Sequence, residues 1–453
     1  MDMARGQGAQ LEASGRRFQT RRLIHALVRG DAVMVDEPVR AQSISYAAGW
    51  LAGLLAVAVC AVLAIASPAG RLGDAPIVMV RDTGALYVRI GSTWHPALNL
   101  ASARLVAKSA ANPVAVDAEA IAGAPRGPFV GIPGAPAQLG QPLEAASWQV
   151  CDSGPTVLIA GTDTIGPDGA RPILATAAGE HLAATYLLYG GKRAAVDLRD
   201  LAVVRALRLD GVTPRPVSRS FLDLLPELPA ITAPSIPGLG RTGPGGFVVG
   251  QVLRVSRADA PEHHVVLSGG LQRVGDVAAD VIRFTHAVAD GDLRTVPPAA
   301  IATIPAVHDL AVSTFPDQAS PPLPSEAPVC ARWRADGDRA DTFVVQGKLD
   351  AAAAAVALAQ EDGDGPNIDA VALPPGRYAY VHATGVTGGS VTGPLYLVTD
   401  SGVRYGIHGA ETAKYLGVEG APLPAPWPLL ARLPGGPELS VAAAEVLRDG
   451  LSP

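Results

Sequence analysis

The sequence predicts a β-rich α+β protein. It consists of a short N-terminal amphipathic helix, one transmembrane helix and an elongated exported region of four small repeat modules around a central domain. Three observations carry this expectation: an uncharged apolar run behind an arginine-rich leader, a strand–turn–strand–helix pattern that recurs four times, and proline-rich connectors between the copies. Of 453 residues, 48% are apolar and 17% charged, which excludes a disordered or polyelectrolyte chain. Fifty glycines and 40 prolines against 5% aromatics argue for many short elements joined by turns, not for a helical bundle. A net charge of −6 makes nucleic acid an unsuitable partner. Three cysteines exclude a disulfide-dense scaffold and a four-cysteine zinc site.

The N-terminal stretch Arg16–Arg29 reads as a helix ending at Gly30. At 100° per residue, Leu23, Ile24, Leu27 and Val28 share one face, while Arg21, Arg22, His25 and Arg29 share the other. Basic amphipathic helices lie on anionic lipid or against a partner helix. Arg21, Arg22, Leu23, Leu27 and Arg29 are therefore candidate contacts with lipid or a cytoplasmic partner; a purely topogenic charge cluster is the other reading.

Between Arg40 and Arg71 lie 30 residues without a charge, and Ile44 to Ala66 is almost continuously apolar. About 20 helical residues cross a hydrocarbon core of roughly 30 Å, so residues 43–67 are expected to span. Tyr46 and Trp50 stand near the start, where amphipathic rings favour a membrane interface. Residues 1–42 hold seven arginines, a positive-inside bias that keeps the N-terminus cytoplasmic and exports the chain beyond Ser67. Ala64-Ile65-Ala66 also fits a signal-peptide cleavage site. Secretory apolar regions, however, run about 7–15 residues behind a short leader, so an uncleaved anchor is the better reading.

Cys60 falls inside the apolar run, where a thiol acts as a small apolar group. Cys151 and Cys330 fall in the exported region, where oxidation is permitted. A bridge between them would constrain the unfolded chain by roughly 5 kcal/mol; two free buried thiols are the alternative. Trp148 and Trp333 lie within three residues of these cysteines, which suggests one central unit built from two distant stretches.

Four segments reach a glycine turn after β-rich residues: Ile77–Gly84, Tyr186–Gly191, Val265–Gly270 and Leu395–Gly402. Helical candidates come next at Ala101–Val106, Leu198–Leu207, Val277–Phe284 and Ala410–Leu416. Each copy then meets a proline after an apolar residue: Ile132-Pro133, Leu225-Pro226, Ile304-Pro305 and Leu433-Pro434. These prolines come 49, 35, 35 and 32 residues after the turn glycine. Stiff proline-rich connectors at Ala124–Pro142, Pro214–Pro244 and Ser320–Pro328 mark boundaries. The expected organisation is residues 1–42 cytoplasmic, 43–67 transmembrane and 74–140 as module one. A central domain of 141–180 plus 326–375 comes next, with modules at 181–235, 245–319 and 376–440 and a tail at 441–453.

These residues resemble the EccB membrane component of the mycobacterial type VII (ESX) secretion system. The resemblance rests on Arg21-Arg-Leu-Ile-His-Ala-Leu-Val-Arg-Gly-Asp31, Pro38-x-Arg40-Ala-Gln-Ser43 and the single span. Asp82-x-Gly84-x-Leu-Tyr-Val88, Asn99-Leu-Ala-Ser-Ala-Arg-Leu105 and Val398-Thr-Asp-x-Gly-Val-Arg-Tyr405 continue it, with Ala425-Pro-Trp-Pro-Leu-Leu430, Leu433-Pro-x-Gly-Pro437 and both cysteine contexts. It implies a single-pass inner-membrane protein with four periplasmic repeat domains around a central domain stapled by a Cys151–Cys330 disulfide. It also implies a core complex shared with a motor ATPase, a multi-spanning channel component, a further membrane subunit, a mycosin protease and other copies of the chain. Members of the family are often labelled ATPases, so ATP is the one cofactor the resemblance raises.

The residues offer no phosphate cradle of the kind that label needs. Gly190-Gly191-Lys192 is followed by Arg193 and lacks the earlier glycine of a P-loop. Gly238-Leu-Gly240-Arg-Thr-Gly243 lies between Pro237 and Pro244, with no strand before it and no helix behind. His263-His264 after Glu262 would point to opposite faces of a strand. Asp362-Gly-Asp364-Gly begins like a calcium loop, but position twelve is Leu373 where a glutamate is needed. Gly389-Ser390-Val391 lacks the spacing of a nucleophile elbow. No catalytic, cofactor-binding or metal residue is nominated. The expected function is a structural and assembly subunit; an ATP-hydrolysing subunit of the same system and a stand-alone membrane-tethered envelope-binding protein are the alternatives.

Overall fold

The architecture is that of a computed structural model. It describes residues 2–30, 38–66, 72–144, 147–161, 171–180, 183–257, 260–288, 293–322, 327–347, 355–363, 365–389 and 393–450. Ser67, Asp364, Ser390 and Val391 lie outside them. The chain forms two compact units, Met1–Arg71 and Leu72–Pro453.

The first unit holds helices α1 (Asp2–Arg29) and α2 (Pro38–Ala66). α1 is longer than the expected Arg16–Arg29. Its added turns contain no proline, and three alanines and two glutamines, good helix formers, offset three glycines there. It stops where expected: Gly30 takes φ 67° and returns its N–H to the Ala26 carbonyl at 3.0 Å. α2 opens on Pro38, whose missing N–H is no loss in a first helical turn. Ser45–Val62 is apolar enough to cross a membrane, and none of it is buried within the protein.

Among the described residues of the second unit, four of five sheets share one connectivity. Three antiparallel strands form a meander, a helix comes next, the following strand runs parallel to the first, and the chain then returns parallel to the third. The first sheet uses Ile77–Val80, Leu86–Ile90 and Thr93–Ala97, then helix Leu100–Ala107, Val114–Val116 and Phe129–Val130. The second uses Ile173–Ala177, Thr185–Tyr189 and Lys192–Ala195, then helix Leu201–Ala206, Arg215–Val217 and Glu227–Leu228. The third uses Val252–Val255, Glu262–Leu267 and Gly270–Val274, then helix Asp276–His286, Arg294–Val296 and a return at Ala306. The fourth uses Arg377–Thr384, Leu395–Thr399 and Arg404–Ile407, then helix Gly409–Leu416, Leu423–Pro426 and returns at Gly435 and Leu439.

One hydrogen bond recurs in all four. The third strand donates a backbone N–H to a proline carbonyl: Trp94 to Pro125 (2.9 Å), Arg193 to Pro226 (3.0 Å), Leu271 to Pro305 (2.8 Å) and Arg404 to Pro434 (2.9 Å). Proline keeps its acceptor while its fixed φ suits the first residue of an edge strand. In the first sheet this place belongs to Pro125, not to the expected Pro133, because the return strand begins before Phe129. Two other differences come from pairing that local pattern does not show. Ile173–Ala177, expected in the central domain, completes the second meander against Thr185–Leu188. Leu447–Arg448, expected in the tail, pairs with Phe129–Val130 of the first sheet.

The central sheet runs Arg339–Gln346, Val329–Asp336, Ser147–Asp152, Thr156–Ala160, Ala370–Ala372 and Val356–Ala357. Its register sets Cys151 opposite Cys330 and Trp148 opposite Trp333. The two cysteines form a disulfide across 179 residues of sequence. Successive strand side chains alternate faces, so both indoles enter one core and both sulfurs another. The indole core also takes Phe221 and Leu225 from the second sheet's region and Leu429 and Leu433 after the fourth sheet. The indole N–H groups donate to Pro424 O (3.2 Å) and Val386 O (2.7 Å). In the full-length protein, reductant or the Cys151→Ala/Cys330→Ala pair should lower the denaturant midpoint, by an upper figure of roughly 5 kcal/mol of chain entropy. An unmoved midpoint would contradict the staple.

Candidate assembly surfaces

On α1 the side chains of Arg21, Arg22, Leu23 and Leu27 are all exposed, so both faces of the basic helix are open within its unit. The Arg29 side chain lies outside the described residues. On α2, Tyr46 and Trp50 stand one turn apart and exposed. They border a shallow groove floored by Gly49 and Gly53, a pair that span length alone does not bring out. Glycines at i and i+4 let apolar helices approach closely, and an added Cβ at either would meet nothing within 4 Å.

The glycines raised as phosphate-binding candidates have backbone duties. Gly190 and Gly191 turn the hairpin between Thr185–Tyr189 and Lys192–Ala195 with φ of 53° and 69°. Strand Arg339–Gln346 passes so closely that a Cβ on Gly191 would fall 1.7 Å from the Thr342 carbonyl. The Thr342 hydroxyl donates to the Gly191 carbonyl in return. A strand comes directly after the turn, where a P-loop is followed by a helix. In the second candidate, Gly240 donates to Val249 O (3.0 Å) and Gly243 to Phe247 O (2.7 Å), so these amides are engaged within the loop.

Lys192 is exposed, whereas Arg193 is buried between carboxylates. Its guanidinium reaches Asp223 at 3.4 Å and Glu227 at 3.0 Å and lies 5.2 Å from the Tyr186 ring centre. Asp223 also takes Arg219 at 3.1 Å and Arg432 at 3.1 Å. Arg432 lies just after the fourth sheet's last full strand, so Asp223 ties the second and fourth sheets together. Asp223 and its neighbours hold the Arg219 guanidinium above its ordinary pKa. No local pattern reveals this joint, because Arg193 and Arg432 lie 30 and 209 residues from Asp223. Arg193→Ala removes a buried cation and its packing on Tyr186, while Asp223 keeps Arg219 and Arg432. That substitution should cost about 1–3 kcal/mol in chemical denaturation and exposed Lys192→Ala almost nothing. Equal losses would contradict this assignment.

The histidine pair divides between two carboxylates: His263 Nδ1 lies 2.9 Å from Asp276 Oδ1 and His264 Nε2 3.5 Å from Glu262 Oε2. Among the described residues no three metal-ligating side chains gather. The acidic turn is held by Asp369, 1% exposed, whose carboxylate accepts backbone N–H groups of Thr156 (2.7 Å), Asp362 (3.0 Å) and Gly363 (3.1 Å). Burial holds the His264 imidazole below its ordinary pKa of 6.5, against an opposing pull from Glu262. A histidine depressed in the fold contributes stability above its unfolded value and loses it as pH falls through the folded one. Acidification below about pH 6.5 should therefore lower the unfolding midpoint, and His264→Gln should flatten that fall. An identical slope in the variant would contradict the assignment.

Comparison with known proteins places this geometry. The family described as Type VII secretion system ESX-1, transport TM domain B matches residues 7–453. The ESX-3 secretion system ATPase EccB3 of Mycolicibacterium smegmatis is 35% identical over 99% of this chain and 92% of its own length. The ESX-5 secretion system ATPase EccB5 of Mycobacterium tuberculosis is 34% identical over 98% of this chain and 94% of its own. A chain of an intact ESX-5 inner membrane complex superimposes with TM-score 0.72 at 31% identity, covering 98% of this chain and 96% of that one. An EccB3 dimer from the ESX-3 core complex gives 0.71 at 32% identity, covering 82% of this chain and 100% of that one. With the match running almost end to end, the chain belongs to the EccB family of type VII secretion components.

Proposed function

We propose that the chain is a structural subunit of the inner-membrane core complex of a type VII secretion system, where it joins other membrane subunits and further copies of itself. The observation that carries this is the likeness, over 98% of the chain, to a subunit of an intact ESX-5 inner membrane complex. In this reading α2 crosses the bilayer with the arginine-rich α1 in the cytoplasm, and Leu72–Pro453 stands in the periplasm. The four sheets of common connectivity act as repeat modules around the disulfide-bridged central sheet. Arg21, Arg22, Leu23, Leu27 and Arg29 meet lipid or a cytoplasmic partner, and Tyr46 and Trp50 mark the membrane interface.

The curated relatives carry the word ATPase in their names, which favours nucleotide hydrolysis as a second reading. The loop that would bind phosphate is a hairpin turn packed on Thr342. In cells lacking the chain, wild type and Lys192→Ala should both restore the assembled complex and secretion. The pure full-length protein should show no magnesium-dependent nucleotide turnover above the Lys192→Ala background. Turnover that the substitution abolishes, with secretion lost and assembly intact, would establish the hydrolase instead.

A further inference from the structure

The second and fourth sheets carry an arginine at the same backbone position. Arg193 and Arg404 each donate the N–H to the proline that opens the returning strand. Each guanidinium lies over a tyrosine of the middle strand, Tyr186 at 5.2 Å and Tyr396 at 5.1 Å. The register agrees too: Tyr186 pairs with Ala195 and Tyr396 with Gly406, each two residues beyond the arginine.

The surroundings then diverge. Arg193 meets Asp223, three residues before its proline, and Glu227, one residue after it. The corresponding residues beside Arg404 are Ala431 and Gly435. Gly435 is the parallel partner of Arg404, as Glu227 is of Arg193. Both arginines bury an Nε without a hydrogen-bond partner, but among the described residues no carboxylate pairs with Arg404. Space is open beside the guanidinium, since an added Cβ on Gly435 would meet only Arg404 Nη2, at 3.9 Å. In place of Arg219, seven residues before the proline, stands Trp427. It is 44% exposed, stacks on Tyr396 at 5.9 Å, and holds the guanidinium 5.3 Å from its ring centre. Aromatic faces meet part of a guanidinium's charge but supply none of the paired oxygens its donor fork fits.

We propose that Arg404, walled by Tyr396 and Trp427, is a receptor for an aspartate or glutamate side chain of another polypeptide. That carboxylate takes the place Asp223 and Glu227 fill for Arg193. The internal counterpart identifies the ligand chemistry as protein carboxylate, and tryptophan, tyrosine and arginine are the residues enriched at interface hot spots. This role does not rest on the scaffold reading, because peptide binding by the isolated chain tests it alone.

The test uses full-length protein in detergent and a synthetic glutamate-rich peptide beside its glutamine counterpart at low salt. Wild type should bind the acidic peptide at least about ten-fold tighter, as expected for a charge-assisted contact. Arg404→Gln should abolish that preference. Ala431→Asp, at an exposed position, should abolish it with the thermal midpoint kept, by supplying the carboxylate from within. Equal binding of both peptides by wild type, or a preference surviving in either variant, would overturn the proposal. Displacement by free glucuronate far better than by acetate would overturn polypeptide as the source of the carboxylate.

Discussion

The antiparallel pairing of Ser147–Asp152 with Val329–Asp336 is the contact on which the extramembrane fold depends. It joins stretches separated by 179 residues at Cys151 and Cys330, and the second and third sheets lie in the loop it closes. Closing a loop of that length is entropically costly before any contact compensates. Two buried indoles, two indole hydrogen bonds and a covalent bridge compensate at once. The alternation of a strand assigns the parts: sulfurs to one face, rings to the other. The ring face then becomes the core into which the short helices Arg219–Asp223, beside the second sheet, and Trp427–Leu430, beside the fourth, send Phe221, Leu222, Leu429 and Leu430.

Around that pairing, residues that resemble reactive motifs serve geometry. Gly190 and Gly191 permit a hairpin turn beneath a passing strand, and Arg193 locks the turn's far side to Asp223 and Glu227. Asp369 gathers three backbone amides and so fastens the acidic turn to the central sheet. A protein whose work is to hold other subunits in place needs such over-determined joints more than it needs a cleft.

Much of this was legible locally. Turn glycines, β-rich runs and helix-forming stretches announce hairpins and helices through chemistry a few residues long, and the helices at Leu100–Ala107 and Gly409–Leu416 lie within a residue of their expected bounds. Parallel return strands were not legible, because two or three residues such as Phe129–Val130 are strands only by virtue of a partner elsewhere. For the same reason the sequence pattern favours Pro133 over Pro125, and it assigns Ile173–Ala177 to the wrong neighbour. The counter-ions of Arg193 lie 30 and 34 residues away, beyond any local pattern. The Gly49–Gly53 spacing is visible in the sequence, yet a span judged by its length and apolarity gives that spacing no weight.

The central claim is that this chain works as a built-in part of a larger membrane assembly. Blue-native electrophoresis after mild detergent extraction tests it most directly. A structural subunit migrates with the other membrane components in a particle many times its own 46.2 kDa. A band near that mass, unaccompanied by partners under conditions that preserve other membrane complexes, would contradict it.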